Sequence, residues 1–475
     1  MKHLTSLRLF TLSFYFFFIS IFNSASGSII AVVDSGNDFL HKDLVAHTWN
    51  NDKEIENNDR DDDKNGYPDD IHGWNFAENN NQLIDMSYSY THTPDVDRFF
   101  LVQYRSILGL ATEADKTWFK EKVQDQEFIS NLSKFGNWMH GTHVTGIAVK
   151  DNPNALALGL KIIPTEVKLP GSKSAITIRS GSFSQEIQLE LPQGLKNNII
   201  SKLLATLAKT QARSFIEFGR YIKSSKADVM NGSFGTSYKP IEQLISQIVE
   251  KVTRKKPTEA ELKEYTLHFF EAHLAQASTM LSSSPNTLFV LAAGNDASNN
   301  DIFPISPGNA IGNNKITVAA TIEKQALAPF SNFGAKNVDI AAPGVGIYSA
   351  SPGDKYLHVS GTSQATPFVA NVAALIKDTN QALKPDQIRK ILMSTGDEKS
   401  WLKGKVGCFC IVNKERAVKA AELSLSRNLE RAILESFNFV KYEENLDHGF
   451  FNPQVDLKTL MIKPISLPTM IHISK

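Results

Sequence analysis

The stretch "MHGTHVTGIAV" (139–149) sets His140 and His143 three residues apart at the head of an apolar run with helical spacing. Residues i and i+3 share one helix face, so the pair could clamp a metal ion, or one imidazole could serve as the base of a hydrolase. Ser363, in "VSGTSQATPFVANVAAL", falls between a strand-like run and a helical one. A helix starting there aims its N-terminus at Ser363, where developing negative charge is stabilised. Pro367 is expected in the first turn of that helix, where a missing N–H costs little. A serine hydroxyl attacks a carbonyl only with a base beside it, and that base needs a carboxylate to hold it. Asp34 closes the apolar run of "SIIAVVDSG", and Asn295 closes "TLFVLAAGN". Asp34, His140 and Ser363 stand in one of the chain orders in which such triads occur. Other hydrolase chemistries lack parts. "GTSQA" is not a Gly-x-Ser-x-Gly elbow, and only His448 and His472, in an unpatterned tail, follow it. A zinc site on His140 and His143 lacks the HExxH arrangement and an obvious third ligand.

The elements that must hold these groups alternate in type. "SIIAVVDSG" reads as a buried strand, residues 51–81 as a solvated Asn/Asp loop, 98–130 as helices, "THVTGIAVK" as a helix and 161–169 as a strand. A β-type insertion is expected over 170–196, helical segments over 199–225 and 240–282, and strands at "ADVMNGSFG", "TLFVLAAGN", "KITVAAT", "VDIAAPG" and "KYLHVSGTS". Helices at "ATPFVANVAALIKD" and 412–424 close the unit, and no clear pattern follows 425. Such alternation implies a mostly parallel sheet covered on both faces, with its site at the carboxyl ends of the strands.

Composition narrows the partners. The 475 residues carry 50 basic and 50 acidic side chains and are 42% hydrophobic, so no long-range field draws in nucleic acid or an anionic membrane. The first 28 residues have a weakly basic start (Lys2, His3, Arg8), an apolar run from Leu9 to Phe22, and small residues Ser24-Ala25-Ser26. That layout predicts a signal peptide over 1–26 rather than a spanning helix. An exported protein, secreted or periplasmic, with no stable membrane association after cleavage is expected. Cys408 and Cys410 are the only cysteines. Two apart on a strand, they would form a strained disulfide, so both are expected as small buried residues.

"AVVDSGNDFLHKDL", "HGTHVTGIAV" and "GTSQATPFVANVAAL" closely resemble the three signature segments of the subtilisin-like serine proteases (subtilases, peptidase family S8). "DVMNGSFG", "VLAAGN", "FSNFG" and "DIAAPG" match the intervening landmarks in order, and the resemblance covers 28–424 with insertions. It implies a subtilisin-like α/β fold, doubly wound, with helices on both faces of a mostly parallel sheet. It also implies an exported serine endopeptidase that hydrolyses polypeptide substrates through an acyl-enzyme, with no cofactor for catalysis. Ser363 would be the nucleophile, His140, at a helix start, the general base, and Asp34 the group that orients it. Asn295 would join the Ser363 N–H as oxyanion donor. Ser233, Phe234, Gly235, Ala292, Ala293 and Gly294 would line a channel where an extended peptide pairs with strand edges. His143 would be a packing neighbour.

The chain departs from the pattern in places. Only 33 residues precede Asp34 and most read as signal, so with this start no N-terminal folding pro-segment is expected. This keeps a second reading in play, a catalytically silent subtilase-like binding protein. Gln364, Phe368 and Asn371 stand where the family usually carries Met, His and Gly. The loop 57–70 fits EF-hand positions one, three, five and six at Asp61, Asp63, Asn65 and Gly66, but has His72 where the bidentate Glu belongs. Structural calcium is an expectation there, against a plain solvated turn. Insertions near 80–135, 170–196 and 240–282 are expected on the cleft rim, and 425–475 forms a C-terminal extension of unassigned role.

Overall fold

The computed structural model describes residues 27–166 and 193–441. The expected signal peptide, most of the 170–196 insertion and the tail beyond 441 lie outside these residues. Short apolar runs form the main sheet: β1 (Ile29–Asp34), β2 (Gly73–Asn75), β3 (Leu156–Lys161), β4 (Val229–Gly232), β5 (Leu288–Ala292), β6 (Lys315–Ile322), β7 (Ala326–Leu327) and β8 (Ile340–Pro343). A hairpin of β9 (Ile347–Ser351) and β10 (Lys355–Val359) stands apart, and β11 (Asp397–Glu398) and β12 (Cys410–Ile411) extend one edge. The sheet runs β11-β12-β8-β6-β5-β4-β1-β3-β2, with every pairing from β12 to β2 parallel. The doubly wound α/β architecture expected from the alternating runs is present.

Eleven α-helices are described: α1 (Pro94–Ile107), α2 (Glu113–Lys122), α3 (Gln126–Val149), α4 (Gln193–Gln211), α5 (Arg213–Ser224), α6 (Tyr238–Thr253), α7 (Glu259–Ser283), α8 (Thr362–Thr379), α9 (Pro385–Ser394), α10 (Lys414–Leu423) and α11 (Leu429–Phe439). Strand β1 shows how they cover the sheet. Ile30 and Val32 enter a core shared with Val144 and Ala148 of α3 and Val369 and Val372 of α8. Ala31 and Val33 enter the opposite core, with Phe215 and Phe218 of α5 and Met280 of α7. Period-two alternation into two apolar layers explains why such strands read as unbroken hydrophobic runs. The start of β1 is clamped to the last turns of α8, where Asp378 Oδ1 accepts from Ser28 N (2.7 Å) and Ser28 Oγ (2.7 Å).

Several expectations need correction. The strand expected at 161–169 is β3, displaced toward the N-terminus, because residues 162–166 leave the sheet once they pass Lys161. "KYLHVSGTS" is the second arm of a hairpin antiparallel to β9 and belongs to no main-sheet strand. Residues 193–196, placed in a β-type insertion, open α4. The two cysteines are joined as a disulfide with Cα atoms 5.1 Å apart. The strand geometry assumed for them fails because Phe409, at φ +42°, turns the chain between them. The unpatterned tail after 425 forms α11, which packs on α10. Fully buried Arg416 holds its end through the carbonyls of Val440 (3.0 Å) and Lys441 (3.0 Å), while pairing with buried Asp397 at 2.9 Å. Asn371, in place of the glycine that would allow close packing, spans α8 and α3 by donating to the carbonyls of Ala148 (2.8 Å) and Lys150 (3.0 Å).

Two buried histidines make folding pH-dependent. His143 lies beneath the hairpin with its Nε2 on the Leu357 carbonyl (3.0 Å), and His273 of α7 meets Ser306 Oγ (2.7 Å). Burial pushes His143 down to about 3 and His273 down to about 4. Unfolding returns each imidazole to about 6.5, so below that pH the unfolded chain binds protons that the folded chain refuses. Stability is therefore whole above about pH 6.5 and falls as the pH drops through the folded values, by up to about 1.4 kcal/mol per pH unit for each histidine. Denaturant melts between about pH 7 and pH 4.5 should show this slope, and His273→Gln should remove about one proton from it. A midpoint independent of pH across that interval is the contrary result.

Candidate active site

His140 reaches the site from the middle of α3, not from a helix start as expected. The helix begins at Gln126, four turns earlier, under an Asp125 cap that accepts from the N–H groups of Glu127 and Phe128. Asp34 is the last residue of β1 and is wholly buried. Its Oδ1 lies 2.7 Å from His140 Nδ1 and also accepts from Ser35 N (2.7 Å). The loop after β1 is stitched to α3 residue by residue. Ser35 Oγ accepts from Gly141 N (3.1 Å), Asn37 Nδ2 donates to Gly141 O (3.3 Å), and Asp38 N donates to Thr142 Oγ1 (2.9 Å). Position 141 must be glycine, since a Cβ there would stand 2.1 Å from the Gly36 carbonyl oxygen. His143, one turn on, is buried beneath the hairpin and takes no part in the pocket, which removes the metal-clamp reading of the pair.

Ser363 is the second residue of α8, where backbone N–H groups have no intrahelical acceptor. Asn295, in the loop after β5, supplies one acceptor: its Oδ1 takes the N–H (2.8 Å) and the Oγ1–H (2.9 Å) of Thr362. With Oδ1 so engaged, the Asn295 Nδ2 and the Ser363 N–H are left as donors beside Gly361. A Cβ on Gly361 would be 3.6 Å from Ser363 N and 3.7 Å from Asn295 Nδ2. Pro367 sits inside α8 rather than in its first turn. Its missing N–H would have gone to the Ser363 carbonyl, and Ser233 Oγ donates to that carbonyl instead (2.9 Å). In return, Ser363 Oγ donates to the Ser233 carbonyl (3.1 Å), not to His140.

One pocket collects His140, Asn295, Gly361 and Ser363. It gathers a base fixed by a buried carboxylate, a hydroxyl at a helix N-terminus, and two N–H donors aimed at one space. Acyl transfer needs these parts. Thr362 and Ser35 escaped the reading of the sequence as site residues, although Thr362 stands beside Ser363 in the "GTS" already singled out. Of the expected channel residues, Phe234 packs against Phe215 in the core and Ala293 is fully buried, so those positions can offer a peptide only backbone. Ile305 closes the space between the two segments. Its Cδ1 would be 3.0 Å from a Cβ on Gly235 and 2.7 Å from one on Gly294, which holds φ at +101°. Of the insertions, α1 lines the pocket, whereas α6 and α7 pack with α4 into a separate apolar layer and give the pocket no residue.

In the acidic loop, Glu54, Asp61 and Asp63 each present a carboxylate oxygen within 4.8 Å of the others. Glu54 was not among the expected residues, because it precedes the EF-hand-like register. Its oxygens accept from Asp63 N (3.0 Å) and Asp69 N (3.0 Å), leaving lone pairs free. His72 turns away onto the Trp49 carbonyl (3.1 Å). Asp70 is engaged by Asn51, Asn65 and Tyr221, and burial raises its pKa above the usual carboxylate range.

Comparison with known proteins adds to this geometry. Alkaline elastase YaB of Bacillus sp. (strain YaB) is 42% identical over 124 residues, 26% of this chain and 31% of that protein. Thermitase of Thermoactinomyces vulgaris is 40% identical over 99 residues, 20% of this chain and 34% of that protein. The matched stretches thus span about a third of each relative's length. The solved structure of a cold adapted subtilisin-like serine proteinase aligns over 82% of this chain and 88% of its own, at 19% identity and a TM-score of 0.39. The profile of the subtilase family runs through residues 25–415, from before β1 into α10. Asp34, His140 and Ser363 all fall within that span, and the chain belongs to the subtilase family.

Proposed function

We propose that this protein is an exported serine endopeptidase acting on polypeptides through an acyl-enzyme at Ser363. The supporting observation is the 2.7 Å Asp34–His140 contact, with His140, Ser363 and Asn295 around one pocket. On substrate binding the Ser363 hydroxyl leaves the Ser233 carbonyl, gives its proton to His140 Nε2 and attacks the scissile carbonyl. Asp34 holds Nδ1–H and stabilises the imidazolium that forms. Asn295 Nδ2 and the Ser363 N–H receive the oxyanion. His140 then protonates the leaving amine, and water releases the acyl group by the reverse path. Export rests on the character of residues 1–26. Among the described residues no helix is long and apolar enough to cross a membrane.

Ser363→Ala is expected to abolish both peptide hydrolysis and labelling by a fluorophosphonate probe while the thermal melt survives. The Ser363–Ser233 bond favours the rival reading, a silent protease-like binding protein. That reading requires a wild-type protein that takes no label. Gly361→Ala meets no backbone strain at φ 168°, and its methyl, which must displace the Gln364 Oε1 lying 2.8 Å from its position, enters the oxyanion space. A fall in kcat of about 100-fold is expected with little change in KM, the size typical of losing one oxyanion donor. Full activity in this variant would remove Asn295 and the Ser363 N–H from that role.

A calcium ion held by Glu54, Asp61 and Asp63 belongs to the same proposal, since three carboxylates form a hard, all-oxygen donor set. Catalysis needs no cofactor in this scheme. Calorimetric titration should show calcium uptake, and chelation should lower Tm. Uptake unchanged in Asp61→Asn/Asp63→Asn would place the ion elsewhere.

A further inference from the structure

Two part-buried carboxylates meet at the start of β1, and the proposed reaction uses neither. Asp378, in the last turn of α8, accepts from Ser28 N (2.7 Å) and Ser28 Oγ (2.7 Å) through Oδ1 alone. Its Oδ2 is shielded from solvent and has no hydrogen-bond partner among the described residues. Asp228, just before β4, accepts from Ile29 N (3.1 Å) through Oδ2. Ser28 is wholly buried, and its Oγ lies 3.2 Å from the Ala374 carbonyl oxygen. This is the C-terminal end of α8, where the helix dipole favours a positive charge.

The charges at this junction do not balance. Among the described residues, the basic side chain that pairs here is Lys377, whose Nζ stands 3.8 Å from Asp228 Oδ1. That ammonium spends its hydrogen bonds on the carbonyls of Gln381 (2.8 Å) and Leu383 (3.2 Å). Burial pushes Asp228 above the usual carboxylate range, and the Asp378 charge adds to it, against the Ile29 N–H and Lys377. Two carboxylates share one cation, and a second cation would be stabilised.

The chain can supply that cation itself. Ser24-Ala25-Ser26 ends the expected signal peptide. Hydrolysis of the Ser26–Gly27 bond leaves a carboxylate on Ser26 and an α-ammonium on Gly27. Gly27 is one Cα step of about 3.8 Å from Ser28, so the ammonium forms within reach of Asp378. A peptide N–H at Gly27 is a single neutral donor, whereas an ammonium offers three charged ones. Glycine also suits the position, since a Cβ on it would stand 1.6 Å from the Asn154 carbonyl oxygen.

Resting on the export reading, we infer that Asp378 and Asp228 form a binding site for the α-ammonium of Gly27, created when the signal peptide is removed. Processing thereby tightens the junction of β1 and α8, the elements that carry Asp34 and Ser363.

The test begins with the full chain expressed in a secreting host, where N-terminal sequencing should read Gly27-Ser28-Ile29. Two forms are then released from a cleavable tag, one starting at Gly27 and one with an alanine ahead of it. Each is melted with Asp378 intact and as Asp378→Asn. The extra alanine should lower Tm by about 4 °C beside Asp378 and by no more than about 1 °C in Asp378→Asn. If Asp378→Asn does not fold, trace acylation of the Gly27 α-amine at pH 7 carries the test. It should run at least about tenfold slower than on a free Gly-Ser-Ile peptide, because the carboxylates hold the amine protonated. Equal Tm losses in both backgrounds, acylation at the peptide's rate, or an exported chain starting at another residue would overturn the ammonium site alone. A chain kept inside the cell with residues 1–26 attached would overturn the export reading and the site with it.

Discussion

A carboxylate at the end of a central strand, with no exposure to solvent, has to be paired. Asp34 finds its partner in His140, and that single contact dictates how close α3 must come to the loop after β1. The approach is so tight that Gly141 can carry no side chain, and Ser35, Asn37 and Asp38 spend their polar groups holding it. The imidazole is consequently fixed before any substrate arrives. In the proposed reaction, preorganisation of this kind spares the complex the cost of ordering its base.

The Ser363 side obeys a second constraint, the unsatisfied groups at the start of α8. Asn295 caps Thr362 with its oxygen and so turns its amide nitrogen toward Gly361. Pro367 withholds the donor due to the Ser363 carbonyl, and Ser233 supplies it from the end of β4. The turn that bears Ser363 is thus tied to the loops after two neighbouring strands, β4 and β5. Repairing two backbone vacancies also fixes the position of the Ser363 hydroxyl.

Much of this was legible in the sequence, for identifiable reasons. Strands β1 and β5 are buried on both faces and carry continuous apolar runs, and Asp34 and Asn295 mark where such runs end. Asp34, His140 and Ser363 sat in segments whose local pattern is strong. Other features depended on tertiary context. The early turns of α3 carry polar residues outside and aromatics toward α1 and α2, so the run at 139–149 looked like a beginning. The β9–β10 hairpin has strand-like residues, but only its pairing shows that it is not in the main sheet. Nothing local announced that Phe409 would take a left-handed turn and bring the two cysteines together, or that α11 would find its anchor on Arg416. The placement of α1 over the pocket depends on aromatic partners in α2 and α3, which no spacing within α1 reveals.

The clamp between Ser28 and Asp378 closes a loop of 350 residues. Contacts of that span are assembled late, because the entropy of closing the intervening chain must be met before they give anything back. On the ribosome, β1 and Asp34 emerge early but can settle into the sheet's final order only after α8 has been made. Timing thus becomes a property of topology: a chain still being synthesised already holds Asp34 and His140 but not Ser363, and the proposed triad is complete only once α8 is made.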